Sequence, residues 1–352
     1  MNDATARFAI VRQELPVEFR DVDLVESWSN DVWVNEELAL RVCWQGDRER
    51  LLREHELLAA LPDSVPHASV VASGRIANLA WMLLRRIPGE RLDLVWSTLS
   101  MEARRDAVEA LGHVLRNLHE WAPPLDIRKK LLQSTQTVPG SREAVVGSTI
   151  VPLPLERVGV LLDCFAGTPG MSKELLRRVR RRIDSLGSVV VAAEFRDGHV
   201  VHGNAHFANA LWFEGRLVAL LDFEWARIGP SDLELEAACR DDPNIEGATD
   251  LGPIRDSDVP MLVWLRVGYP ELFGGENLTE RLWLYDLCYQ VRRLSLTGVI
   301  SLDQLQLKRL NILADRPRVK FARGNRPNEQ LIRQFRQNAI RHFPSRGGGP
   351  AT

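Results

Sequence analysis

Residues 200–213 read VVHGNAHFANALWF, and residues 220–236 read LLDFEWARIGPSDLELE. His202, Asn204, His206 and Asn209 crowd a short polar segment of the first stretch, flanked by the apolar runs Val200–Val201 and Ala210–Phe213. The runs read as strands and the polar group as the loop between them. Glu214-Gly215-Arg216 has hairpin-turn composition and returns the chain to Asp222-Phe223-Glu224. A hairpin between Asn209 and Asp222 brings their side chains to one spot. An amide and a carboxylate together offer the hard oxygen ligands that Mg²⁺ takes.

Upstream, DVWVNEELALRVCW (31–44) reads as two strands joined at Asn35-Glu36-Glu37. DRERLLREHELLAALPD (47–63) predicts an amphipathic helix with Leu51, His55 and Leu58 on one face, stopped near Pro62. SVVASGRI and LAWMLLRRIPG read as two more strands, and Pro88-Gly89 breaks the pattern. Beyond it SMEARRDAVEALGHVLRNLHEW is helical, with Ser100 as N-cap and Ala107, Leu111, Val114, Leu115 and Leu118 in register. Residues 122–170 give no clear pattern, SKELLRRVRRRIDSLG is another helix, and the chain beyond Leu233 is mainly helical. The expected fold class is α+β. A small β-rich lobe (1–88) precedes a large, mainly helical lobe (89–340), and a polar tail (341–352) is expected to be disordered.

Composition sets few limits. The 352 residues carry a formal net charge of −2, with 45% hydrophobic and 26% charged residues, enough for a sizeable core. Near-neutral charge gives no argument for a nucleic-acid partner, and no apolar run is long enough to span a membrane. The N-terminus lacks the apolar core of a secretion signal. Cys43, Cys164, Cys239 and Cys288 form no C-x-x-C pair, which argues against structural zinc and for reduced thiols in the cytoplasm.

Phosphoryl transfer needs groups that position phosphates, a metal on the β- and γ-oxygens, and a carboxylate that orients the attacking hydroxyl. In kinases this appears as H-x-D-x-x-x-x-N, a hairpin, then D-F-x. Here His202-Gly203-Asn204, Asn209 and Asp222-Phe223-Glu224 occupy that frame in order. The sequence therefore resembles the aminoglycoside phosphotransferase family, whose loop is HGDLHxGN followed by a DFE- or DWE-type motif. SWSNDVWVNEELALRV, LLREHELLAAL, MLLRRIPGERL and LGHVLRNLHEW extend the likeness over roughly residues 24–240.

The resemblance implies a two-lobed protein-kinase-like fold that moves the γ-phosphoryl of ATP or GTP, with Mg²⁺, to a hydroxyl of a small molecule. The small molecule would be an aminoglycoside-like antibiotic or a natural-product intermediate. It puts Arg41 on the α- and β-phosphates in place of the usual lysine, with Glu54 as its ion-pair partner. It puts Ser29 and Asn30 on the turn covering the phosphates, the backbone of 84–87 on the adenine edge, and Asn209 and Asp222 on the metal. His202 is expected to brace the loop.

Asn204 departs from the family pattern, since an amide cannot take a proton as a carboxylate does. Three readings stay open: a silencing substitution, an enzyme using another base such as His206 or Glu224, or a binding module that performs no transfer. The last includes a pseudokinase with a partner protein; a kinase component of a peptide Ser/Thr dehydration system is a further alternative. Acidic residues over 230–250 could attract a cationic acceptor, although a solvated helix face explains them more simply. A solvated helical tail likewise explains the arginines over 308–346.

Overall fold

The computed structural model describes residues 3–25, 27, 30–44, 48–136, 155–164, 171–190, 194–240, 245, 252–296 and 304–321. Ser29 and the tail 341–352 lie outside them.

The N-terminal part is an antiparallel sheet in the order β1-β2-β3-β5-β4. Its strands are β1 (Asp23–Val25), β2 (Asp31–Val34), β3 (Leu38–Cys43), β4 (Val70–Ile76) and β5 (Leu79–Arg85). The turn expected at 35–37 is present, and Asn35 Oδ1 accepts from the Glu37 and Leu38 amides at 3.0 and 2.8 Å.

Successive strand side chains point to opposite faces, and here both faces are covered. Leu38, Leu40, Val42, Leu79, Trp81 and Leu83 pack with Phe8, Val11 and Phe19 on one side. Cys43, Ala80, Met82 and Leu84 pack with Leu51, Leu57 and Leu58 on the other. Double burial accounts for the near-continuous apolar run of β5. The first side is closed by α1 (Ala4–Val11), a helix the sequence reading did not assign. Asp3 caps it by accepting from the Thr5 amide at 2.9 Å, and Arg7 ties it to Asp31 of β2 at 2.6 Å.

The second side is closed by α2 (Glu49–Leu58), whose buried residues include Leu51, Glu54 and Leu58. His55, expected on that face, is half-buried at its edge and meets the Ser73 hydroxyl. Arg41 falls between Leu40 and Val42 in β3, so it faces α2.

After Pro88-Gly89 come β6 (Glu90–Arg91), the short helix Leu92–Val95 and the long helix Met101–Glu120, which Ser100 caps by accepting from the Ala103 amide at 3.1 Å. Strands β8 (Ala210–Phe213) and β9 (Arg216–Leu220) form the expected hairpin beside β6. Its turn residues Glu214 and Gly215 have φ of 48° and 77°, as a two-residue type I′ turn requires. Strands β7 (His199–Val201) and β10 (Arg227–Gly229) pair antiparallel on either side of the hairpin in sequence.

One core runs from the underside of the N-terminal sheet through Val200, Leu220 and Phe223 into the helices. A second joins helices 155–164, 173–186, 278–296 and 304–315. Among the described residues no helix is long and apolar enough to cross a membrane, and Cys43, Cys239 and Cys288 are buried thiols outside any disulfide.

Helices Met101–Glu120 and Pro260–Gly268 cross at Gly112 and Gly268. A Cβ on Gly268 would lie 2.2 Å from the Glu109 carbonyl oxygen, so the helices must separate to admit it. Gly268→Ala is expected to lower stability by about 1–3 kcal/mol through overpacking. Gly159→Ala, in a helix where an added Cβ meets nothing within 4 Å, is expected to raise it by about 0.5–1 kcal/mol. Denaturant midpoints of the two variants check the pair.

Candidate active site

Arg41 is the hub of the site. Its Nη1 donates to both Glu54 oxygens at 2.6 Å. Its Nη2 donates to Asp222 Oδ1 and, at 3.0 Å, to Glu224 Oε2. The strand, the helix after it and the acidic motif of the hairpin therefore meet on one guanidinium. Glu54 also accepts from the Phe223 amide at 2.9 Å. Glu224 is enclosed by Arg41, by Asn30 Nδ2 at 2.9 Å and by Arg50 Nε at 3.2 Å.

Three carboxylates thus face Arg41 and Arg50. Burial would lower the Arg41 pKa, but Glu54, Asp222 and Glu224 outweigh it and hold the guanidinium charged above its ordinary value. Burial, reinforced by Asp222 and Glu224 and opposed by Arg41, pushes Glu54 up to about 8.

Clustered carboxyl oxygens are the ligand type a hard cation takes. Ligand oxygens of Glu54, Asp222 and Glu224 lie within 4.8 Å of one another. The side chains of Glu54 and Glu224 are 1% and 0% exposed, that of Asp222 23%. Asp222 is therefore the carboxylate a metal ion could reach. Its left-handed backbone, φ 67° and ψ 54°, turns the chain sharply out of the strand into Phe223–Trp225.

The loop 202–209 is wired to that turn. His202 is fully buried, donates from Nε2 to the Leu221 carbonyl at 2.9 Å and accepts the Asn204 amide on Nδ1 at 3.2 Å. Burial lowers its pKa, which keeps the ring neutral in this bracing role. Gly203 has φ 77°, and a Cβ there would meet Arg227 Nη1 at 2.7 Å. The Gly203 amide donates to Glu234 at 3.1 Å, and the His202 amide donates to the same carboxylate.

Asn209 sits beside the metal-motif turn, since its carbonyl accepts from the Leu221 amide at 2.7 Å. Its Nδ2 donates to the Asn204 carbonyl at 2.9 Å, leaving Oδ1 as its potential metal ligand. Asn204 Oδ1 accepts from Arg240 Nη1 at 3.1 Å.

Asn30, expected on the turn over the phosphates, donates from Nδ2 to Glu224 at 2.9 Å; Ser29 lies outside the described residues. Along 84–87, expected on the adenine edge, the Arg85 and Arg86 amides donate to the Ser69 and Glu37 carbonyls, both at 2.8 Å. Glu224, buried and held by Arg41, Asn30 and Arg50, is not placed as a base for an acceptor. His206 uses Nδ1 to accept the Ala208 amide at 3.2 Å.

Among the described residues of 230–250 the acidic side chains form neither a rim nor a solvated helix face. Asp232, Glu234 and Glu236 are buried. Arg281 pairs with Asp232, the His202–Gly203 backbone with Glu234, and Arg240 with Glu236 at 2.8 Å. Asp241, Asp242, Glu246 and Asp250 lie outside the described residues. Of the basic segment, Arg309 and Arg318 are buried, and Arg318 pairs with Asp286 at 2.5 Å.

Comparison with known proteins agrees with this geometry. A family model described as the phosphotransferase enzyme family (APH) matches residues 22–254, while no curated protein sequence matches. The gentamicin complex of APH(2″)-IIa is 14% identical with TM-score 0.61, covering 90% of this chain and 97% of that one. ADP-bound aminoglycoside phosphotransferase APH(2″)-Ib is 14% identical with TM-score 0.55, covering 90% and 98%. A thermostable mutant of APH(4)-Ia, in a ternary complex with ADP and hygromycin B, is 14% identical with TM-score 0.53, covering 83% and 92%. At these identities the solved structures show a shared α+β fold. The match to the family model spans the sheet, the loop and the acidic motif, and the chain belongs to the phosphotransferase enzyme family.

Proposed function

We propose that the protein moves the γ-phosphoryl of ATP or GTP to an oxygen of a small molecule, with lobes 1–88 and 89–340 enclosing the nucleotide. The observation that carries this reading is the Arg41 guanidinium, held by Glu54 and facing Asp222 across the cleft. Phosphoryl transfer is mostly positioning and charge neutralisation, and this pair supplies both halves. Arg41 grips the α- and β-phosphates, which a guanidinium can do in bidentate fashion, and Glu54 fixes its direction. Asp222 and Asn209 hold Mg²⁺, which neutralises charge on the phosphates when bound. Gly203 and His202 set the loop so that Asn204 lies beside the acceptor. The solved relatives named above were captured with ADP, gentamicin or hygromycin B. That supports a nucleotide site and a small-molecule acceptor here.

A second reading, a nucleotide-binding module without transfer, is favoured by the missing base at Asn204. Calorimetry with and without Mg²⁺, alongside phosphate-release assays, separates the two. Mg·ATP is expected to bind and to turn over once the acceptor is supplied. Asp222→Asn is expected to weaken Mg·ATP binding by at least about tenfold, or about 1.4 kcal/mol. Absence of nucleotide binding in the unaltered chain would overturn the reading, and binding without turnover in the presence of acceptor would favour the module.

Arg41→Ala is expected to lower stability by about 3–5 kcal/mol, because it leaves Glu54 and Glu224 buried without their main cation. Thermal and denaturant unfolding check this, and a loss below about 1 kcal/mol would contradict the role of Arg41 as hub.

A further inference from the structure

The side chain of Asn204 is oriented by Arg240. A guanidinium has donors and no acceptor, so the atom that receives Arg240 Nη1 at 3.1 Å is the amide oxygen. The planar amide then turns Nδ2 the opposite way, and Asn204 is only half-buried. At the position where the family pattern carries a carboxylate, this chain presents an N–H donor.

Arg240 is itself held firmly. It pairs with Glu236 at 2.8 Å and stacks over the Tyr289 ring at 3.9 Å. More cations stand behind it. The Arg50 and Arg292 guanidiniums lie 5.7 and 4.5 Å from the Trp225 ring, and Arg227 Nη1 donates to the Trp225 carbonyl at 3.2 Å. Burial, with Arg227, Arg50 and Arg240 as neighbouring charges, brings Arg292 down to about 10.

We infer that the acceptor oxygen is already ionised, a carboxylate or a phosphomonoester, with Asn204 Nδ2 as its hydrogen-bond donor and Arg240 as the residue that positions the amide. This rests on the phosphotransferase reading above and replaces the hydroxyl expected from sequence. The chemistry balances without a base. The anionic oxygen forms a bond to the γ-phosphorus, the bond from that phosphorus to the bridging oxygen breaks, and the nucleoside diphosphate leaves with the electron pair. No proton moves, so a loop with an amide in place of a carboxylate loses nothing the reaction needs. A carboxylate at 204 would repel such an acceptor.

The test is calorimetric titration of inorganic phosphate, and separately of acetate, into the protein saturated with Mg·AMP-PNP. At least one anion is expected to bind. Asn204→Asp and Arg240→Gln are expected to weaken it by about tenfold or more, while Arg240→Lys, which can still only donate, stays within about threefold. AMP-PNP affinity is expected to be unchanged in all three, which also reports that they are folded. Stronger phosphate binding indicates a phosphomonoester, stronger acetate binding a carboxylate. Binding of neither anion, or equal binding in Asn204→Asp, overturns the inference. Failure of the unaltered protein to bind AMP-PNP overturns the nucleotide reading beneath it instead.

Discussion

The candidate site depends on one buried guanidinium. Arg41 of β3 contacts Glu54 of α2 and Asp222 and Glu224 of the acidic motif at once. A charge so enclosed is tolerated only when it is paired and hydrogen-bonded. The sheet, the helix Glu49–Leu58 and the acidic motif therefore cannot settle independently. The Phe223 amide bond to Glu54 ties the acidic motif to that helix a second time. Continuity of the apolar core beneath, from Met82 through Phe223 to Leu233, makes the arrangement a packing constraint as well as an electrostatic one.

A second buried acid organises the acceptor side. Glu234 receives the His202 and Gly203 amides, with His119 Nε2 at 3.7 Å. Its pKa is lowered: burial works against ionisation, but the neighbouring His119 and the Gly203 amide outweigh it. The acid residues after the metal motif thus hold the loop from within. Helix Leu233–Arg240 is buried nearly all round. Nothing about its charge count argues for a cationic acceptor, and its one arginine points at Asn204.

The fold was readable where the signal was local. Alternation marked the strands, Ser100 marked a helix start, and Glu214-Gly215 marked the hairpin. The pairing of Arg41 with Glu54, thirteen residues apart, followed from the strand-then-helix order and the family resemblance. Long-range partners were not readable. Arg281 reaches Asp232 from 49 residues away and Arg240 reaches Asn204 from 36, and no spacing rule links such pairs. One clue lay in plain view: Glu236 and Arg240 are four apart on a helix, the separation at which opposite charges meet, and that pair aims Arg240. The N-terminal helix was missed because its eight residues cover the sheet through only a few apolar side chains.

A structure of the protein with Mg·AMP-PNP tests the central claim most directly. The account predicts Arg41 turned from Asp222 onto the phosphates with its Glu54 pair intact, and Asp222 with Asn209 on the metal. Nucleotide bound elsewhere, or bound with the Arg41–Asp222 contact unbroken and no metal on Asp222, would contradict it.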